Sequence, residues 1–415
     1  MKALLGAVAG PLATEGTKGA WYRGWRLMSV DGTSLDLADT AANAEEFGRP
    51  GSARREGGGA FPQVRLVGLA ECGTHALVDA AMGPCATGER ALARELLGSL
   101  RTGMLVLADR GFHSFEPWNE FGAGGADLLW RARSNHVLPI DERLGDGSYL
   151  SRLYEVVDNH RTSTFVVVRV VEYTLDDPGR AGADATYRLL TTILDPAAAP
   201  ADDLAGLYRQ RWEFETVLDE LKTHQRGPRV VLRSKDPDGV TQEVYGYLCV
   251  HCAVRWLIHT VALAADADPD RPSFTRSLRV ARRTTASHPG FPPRALADAR
   301  AKAQGEMLFE ILPSRRLRAN ARVVIRKMSN YGRQMPRAPQ LAATDPNPER
   351  CRQRRPCSPD MTAAAQPAAW AVLEQAIIQR RPVTAGYHGQ QRLLCPTRSA
   401  GRTADPRSSP TKPTA

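Results

Sequence analysis

Residues 207–222, Leu207-Tyr208-Arg209-Gln210-Arg211-Trp212-Glu213-Phe214-Glu215-Thr216-Val217-Leu218-Asp219-Glu220-Leu221-Lys222, decide how this chain is read. On an α-helix, which turns ~100° per residue, Tyr208, Arg211, Glu215 and Lys222 fall within roughly 60° of one another. Leu207, Phe214, Val217, Leu218 and Leu221 line a neighbouring apolar stripe. One helix can therefore pack on a core and still present a phenol, two cations and an acid. Such a face suits a polyanionic substrate and a metal ion, or else it is a solvated, salt-bridged surface. The choice turns on residues far away in the chain.

Asp31 follows the alternating run Trp25-Arg26-Leu27-Met28-Ser29-Val30 and precedes Gly32-Thr33, which predicts a strand ending in a tight turn. Asp109 follows Met104-Leu105-Val106-Leu107-Ala108 and precedes Arg110-Gly111, a continuous apolar strand of the buried kind. Taken singly, each Asp beside its Gly reads as a turn former. Taken with Glu215, they are three carboxylates from two strand ends and one helix. That set suits hard divalent cations, because Mg²⁺ takes a few carboxylates and keeps places for water and phosphate oxygens. Two such ions about 4 Å apart can stabilise both the entering and the leaving oxygen of an in-line phosphoryl displacement.

Tyr208, Arg211, Glu215 and Lys222 fit, without a gap, a signature of tyrosine, two residues, arginine, three residues, glutamate, six residues and lysine. Val30-Asp31-Gly32-Thr33 and Leu107-Ala108-Asp109-Arg110-Gly111-Phe112 supply the surroundings of two aspartates. In these features the chain resembles the DDE transposases of the insertion-sequence-4 family. Asp39-Thr40 to Asn43, Phe47-Gly48-Arg49-Pro50, Phe61-Pro62-Gln63-Val64-Arg65 and Leu232-Arg233-Ser234-Lys235 extend the resemblance, which runs from about Gly19 to Asn330. It implies an α/β fold similar to ribonuclease H: a mixed sheet flanked by helices, with a β-rich insertion between the second Asp and the Glu. It also implies cut-and-paste transposition, with Asp31, Asp109 and Glu215 as catalytic residues that hold two Mg²⁺ ions, for which Mn²⁺ can substitute. Relatives nick the element's end, make and resolve a hairpin, and attack target DNA with the freed 3′-hydroxyl. Double-stranded DNA, as terminal inverted repeats and as target, is the implied partner, and a homodimer in the synaptic complex holds the two ends.

On that resemblance Tyr208, Arg211 and Lys222 meet phosphate oxygens, Arg by a planar fork and Lys as a point charge. Trp212 either stacks on a displaced base, as the matching aromatic does in relatives, or packs in the core. The basic runs Arg279-Val280-Ala281-Arg282-Arg283 and Arg315-Arg316-Leu317-Arg318 to Arg322-Val323-Val324-Ile325-Arg326-Lys327 are expected to track a duplex backbone. His113 and His224 read as polar residues flanking the site.

The segments divide as residues 1–125 and 201–335 for the core, 126–200 for the β-rich insertion and 336–415 for a disordered tail. Val64 to Cys72 and His75 to Met82 predict a hairpin about Gly73-Thr74, and Glu89 to Leu100 a helix. Thr164–Val171 and Tyr187–Leu194 predict strands, and Val244 to Ile258 a helix. After about Pro336 the chain is rich in Pro, Arg, Ala, Thr and Ser and cannot bury enough apolar surface to offset its ordering entropy, one short helix at Ala368 to Gln379 aside.

At 415 residues the chain can bury one large core or two smaller ones. Its net charge of +10 and pI near 9.4 suit a polyanionic partner and fit a membrane surface equally well. No run of about eighteen apolar residues is seen, so no transmembrane helix is expected, and the faint signal-peptide character of Met1 to Ala9 is set aside in favour of the bacterial cytoplasm, on the nucleoid when DNA is bound. The seven cysteines are scattered. Cys249 and Cys252 form a lone CxxC, which reads as thiols on a core helix rather than zinc ligands, for want of a matching pair. The family carries a helical region ahead of its first aspartate, so the thirty residues before Asp31 predict a shortened N-terminus. Two further readings stay open: a transposase remnant that binds DNA without sequence preference, and a metal-dependent nuclease using the same carboxylates.

Overall fold

In the computed structural model, residues Trp25–Asp36 are one unbroken strand, and the sheet is laid on either side of it. The structure describes residues 1–50, 61–157, 160–174, 186–227, 230–287, 293–309 and 311–313, with the backbone alone for 286–287, 293–297, 300, 383–387 and 390–394. In chain order the first elements are α1 (Lys2–Val8), β1 (Trp21–Tyr22), β2 (Trp25–Asp36), α2 (Ala41–Phe47), β3 (Gln63–Glu71), β4 (Leu77–Pro84) and α3 (Glu89–Arg94). They are followed by β5 (Met104–Ala108), α4 (Phe115–Ala123), β6 (Asp127–Arg131), β7 (Glu142–Arg143), β8 (Tyr149–Val157), β9 (His160–Tyr173) and β10 (Tyr187–Thr191). The helical half holds α5 (Ala201–Leu207), α6 (Glu213–Asp219), α7 (Pro237–Ala264), α8 (Phe274–Ser287) and α9 (Pro293–Leu308).

The sheet runs β4-β3-β2-β5-β6-β10-β9-β8-β7, with β1 beside β2. Its centre is parallel, β2 with β5 and β5 with β6, and the remaining pairs are antiparallel. The all-apolar β5 is buried along its whole length because helices cover both faces of the sheet. Met104, Val106 and Ala108 face the core under α3 and α4, with Leu92, Trp118 and Phe121. Leu105 and Leu107 face the opposite way, against Leu204, Leu207 and Tyr208. A third cluster packs Phe214, Val217 and Leu221 with Val240, Val244 and Leu248 on Leu35, Val64 and Leu66. Among the described residues, the β-rich stretch after residue 126 builds no separate sheet. Its strands β6 and β10 continue the central one, and β9, β8 and β7 extend it.

Three local expectations change. The first strand does not stop at Asp31; it pairs with β3 as far as Asp36↔Gln63, because Gly32-Thr33 stays extended and Leu35 supplies another buried side chain. The predicted helix at Glu89 to Leu100 is α3 and then a 3₁₀ turn at Leu97–Ser99. The signature helix is segmented: α5, a 3₁₀ turn at Tyr208–Trp212, α6, and a π-helical stretch at Glu220–Gln225.

Among the described residues, α7 is long and apolar enough by length and composition alone to cross a membrane, and 56% of its most apolar window is buried within the fold. Asp236 caps it, its Oδ1 accepting from the Gly239 amide at 2.8 Å, with Pro237 in the first turn. Cys252 is buried on its inner face, Cys249 is half-buried, and both are free thiols. Of the tail, Val383–Tyr387 (β11) and Gln390–Leu394 (β12) form an antiparallel pair. The helix at 368–379, the second basic run and the rest of the tail lie outside the described residues.

Behind the segmented helix lies a buried charged knot. Glu220 accepts from Arg255 through both carboxylate oxygens, once at 2.8 Å from Nε, and from His251 Nε2 at 3.0 Å. Arg255 also donates to His75 Nδ1 at 2.6 Å, which makes that nitrogen an acceptor. Burial lowers the His251 pKa to about 3, so this imidazole is neutral. We predict that Arg255→Leu destabilises the fold by roughly 3–5 kcal/mol by stranding the Glu220 charge, and that Arg255→Leu/Glu220→Leu recovers most of it. Urea unfolding of the two variants checks this; equal losses would rule it out.

Candidate active site

The parallel pairing of β2 and β5 ends at Val30↔Ala108. Asp31 and Asp109 are each the next residue, so two carboxylates emerge side by side from adjacent strands. Each is steadied by a glycine amide. Gly32 N–H donates to Asp31 Oδ1 at 2.8 Å, and Gly111 N–H to Asp109 Oδ1 at 2.6 Å. Both glycines also keep space clear: a Cβ on Gly111 would lie 2.8 Å from Asp109 Oδ1, and one on Gly32 would lie 2.9 Å from Glu89 Cγ. Glu89, at the start of α3, is thus a further carboxylate beside the site that sequence spacing did not reveal.

The segmented helix lies across these strand ends. Arg211 is buried and donates from Nη1 to Asp31 Oδ2 at 3.1 Å. Tyr208, also buried, donates its hydroxyl to the Ala108 carbonyl at 3.0 Å and so pins the end of β5. Its phenol is therefore committed inside the protein, where phosphate contact had been expected. Lys222 Nζ donates to Thr33 Oγ1 at 2.8 Å, further along β2. Trp212 is 44% exposed, which excludes the core-packing alternative, and the Arg211 guanidinium lies 4.6 Å from its ring centroid. Glu215 is half-buried on α6.

Electrostatics bind these groups together. Burial pushes the Asp31 carboxyl up to about 6, against the pull of Arg211 and the Gly32 amide, while Asp109 and Glu89 add to the rise. For Arg211 burial acts to lower the pKa, but Tyr208, Asp31, Asp109 and Glu215 outweigh it and the value is raised. Lys222 is lowered by burial and by Arg226. His113 is buried edge-on against His136, at 4.7 Å, and burial holds it neutral with a pKa of about 3; His224 pairs with Asp219 at 3.2 Å. Neither imidazole is bonded to the two aspartates.

Among the described residues no three His, Cys, Asp or Glu side chains stand close enough together to hold a metal ion. The donor chemistry of the strand ends nevertheless fits a hard cation. Two short carboxylates with Glu89 beside them concentrate negative charge, and a buried cation, the Arg211 guanidinium, already sits on Asp31. Glu215 does not join them in a closed cage.

The family model described as the transposase DDE domain matches residues 24–253, a span that takes in Asp31, Asp109 and Glu215. The chain belongs to the DDE transposases. Within them it is of the insertion-sequence IS4 type: it is similar to the transposase InsG for insertion sequence element IS4 of Escherichia coli strain K12, 28% identical over 319 residues that cover 74% of this chain and 69% of that protein. A shorter likeness, 26% over 141 residues, joins 33% of this chain to 46% of the transposase candidate InsZ of the same strain.

The Asp31 environment makes stability pH-dependent. The folded protein holds this proton up to about 6 and the unfolded chain only to its ordinary 3.8, so Asp31 costs stability progressively as pH rises between those values. In metal-free protein the stability gained by Asp31→Asn should therefore be greatest near neutrality and shrink toward pH 4, by roughly 3 kcal/mol at most. Denaturant titrations across that range measure it; a pH-independent difference would mean an unshifted carboxyl.

Proposed function

We propose that the protein is a DNA transposase that cleaves and joins strands at insertion-sequence ends with Mg²⁺, or with Mn²⁺ in its place. The observation that carries the reading is the adjacency of Asp31 and Asp109 beyond the last parallel pair, beneath a helix bearing Arg211, Glu215 and Lys222. The central order β4-β3-β2-β5-β6, antiparallel on one side and parallel on the other, supports a ribonuclease H-like core with the aspartates on its first and fourth strands. We read residues 1–125 and 201–335 as that core and 126–200 as its β-rich insertion.

Asp31, Asp109 and Glu215 would hold the metal, and Glu89 would keep the site anionic. Bound there, Mg²⁺ supplies a hard Lewis acid that lowers the pKa of an attacking water or 3′-hydroxyl and offsets charge at phosphorus. Arg211 balances Asp31, and its planar guanidinium would engage a non-bridging phosphate oxygen. Tyr208 holds the β5 end, and with it Asp109, in position. The exposed Trp212 ring offers a stacking platform for a base displaced at the cleaved end. Lys222, on Thr33, places a second cation over β2. Since each step is an in-line displacement at phosphorus, one set of side chains serves cleavage and joining alike. Two ends held at once call for a homodimer, working where the DNA is, in the bacterial cytoplasm.

Asp31→Asn, Asp109→Asn and Glu215→Gln are each expected to reduce Mg²⁺-dependent cleavage of an inverted-repeat duplex to background and to leave duplex affinity nearly unchanged. Cleavage assays with mobility-shift titrations of the same variants test this. Full cleavage by any one variant removes that residue from the set, and equal cleavage of a scrambled duplex favours a nuclease over a transposase.

A further inference from the structure

On α8 the chain separates two faces sharply. Phe274, Ser277, Leu278 and Val280 are buried, whereas Arg279 and Arg283 are exposed on the opposite side, with Arg276 half-buried beside them. These three arginines, with Thr275, line an open cleft of about 440 Å³ whose other wall carries Glu306 of α9 and Phe309 just after it. Glu306 pairs with Arg283 and fixes that guanidinium against the wall. Among the described residues that line it, three arginines stand against one carboxylate. Phe309 is 67% exposed, and the Arg276 guanidinium lies 5.7 Å from its ring centroid. A large exposed ring among arginines at an open cleft has no packing purpose within the described residues.

We propose that this α8–α9 cleft is a second DNA-contact site, which holds the sugar–phosphate backbone of duplex DNA outside the reacting end. The inference rests on reading the protein as a DNA enzyme and adds a site to it. Arginines at positions 276, 279 and 283 rise ~10 Å along the helix, the axial length over which one strand of a duplex presents about three phosphates. Guanidinium forks match phosphate oxygens in pairs, and Thr275 adds a hydroxyl to the same face. Phe309 supplies an apolar surface for a deoxyribose. The cleft is linked to the reaction centre by bonded structure: Arg282 of α8 donates to the Gln225 carbonyl at 3.1 Å, at the end of the π-helical stretch that carries Lys222. A duplex engaged at Lys222 can thus run on to α8 without the arginines touching the reacting phosphate.

The test is the salt dependence of binding to a random duplex of about thirty base pairs by the full chain, where each lost phosphate contact flattens the log–log slope by about 0.9. Arg279→Ala/Arg283→Ala should flatten it by about 1.8 units, on scrambled and inverted-repeat duplexes alike. Lys2→Ala/Arg101→Ala removes the same charge from exposed positions, Arg101 lying before the opposite end of β5 from Asp109, and should leave the slope unchanged. Thr275→Glu, which puts a carboxylate into the cleft and removes no arginine, should weaken binding in the same direction and covers the case in which the double variant does not fold. An unchanged slope in the folded arginine variant, an equal loss in the Lys2/Arg101 control, or wild-type binding by Thr275→Glu overturns the cleft and leaves the transposase reading standing. A wild-type protein that binds no duplex overturns both.

Discussion

Two carboxylates of like charge stand at neighbouring strand ends, and their half-buried position makes that repulsion costly. The charge is met from one side by Arg211 and from below by the Gly32 and Gly111 amides. Buried negative charge of this kind settles only by taking up protons or by acquiring a cation. The rise of Asp31 to about 6 shows the first response, and its ion pair with Arg211 shows the second. On the reading proposed above, the same imbalance is what a divalent ion would relieve.

The helix above the aspartates is bonded to partners on two sides. On one side Tyr208 reaches Ala108, Arg211 reaches Asp31 and Lys222 reaches Thr33. On the other, Glu213 accepts from the Gly73 amide and Glu220 is locked to Arg255 and His251. At ~100° per residue the two sets already fall on opposite faces of the helix. The tighter 3₁₀ turn at Tyr208–Trp212 and the wider π-helical stretch at Glu220–Gln225 flank the regular turns of α6 that carry Glu215. The buried Glu220 charge is thus an anchor on the far side of Glu215, and Phe214 packing over Gly68 completes the seat.

How far this was legible in the chain depended on whether a feature is local. The signature spacing, the apolar β5 run and the hairpin of β3 and β4 are periodic, and they stand where the sequence indicated. The apparent turn at Asp31-Gly32-Thr33 misled because glycine marks both tight turns and extended strands approached closely by a side chain; here that side chain is Glu89. Tyr208 read as a ligand contact because helical spacing cannot show that a carbonyl three ångströms away will accept its hydroxyl's hydrogen bond. Glu89 and His75 carried no signal at all, since their significance arises only from strands and helices brought together by the fold. In α7 the buried Arg255, His251 and His259 interrupt the apolar run in the sequence, although the helix as a whole remains long and apolar.

The two aspartates are held with different stiffness. Asp31 lies within a strand that stays paired to β3 for five residues beyond it, through Asp36, so its backbone is fixed on that side. Asp109 follows the last residue of β5 and is held by the Gly111 amide and by the Phe112 amide on its own carbonyl, within a loop. Under the proposed function, a fixed carboxylate next to an adjustable one would suit a site that accepts successive substrates at one phosphorus, because small shifts could be taken up on one side only. Past Val30, β2 has lost β5 as a neighbour, and Arg211 and Lys222 bond to side chains on that stretch. The run of β2 past Val30 therefore carries the fixed carboxylate and also seats the Arg211 and Lys222 cations.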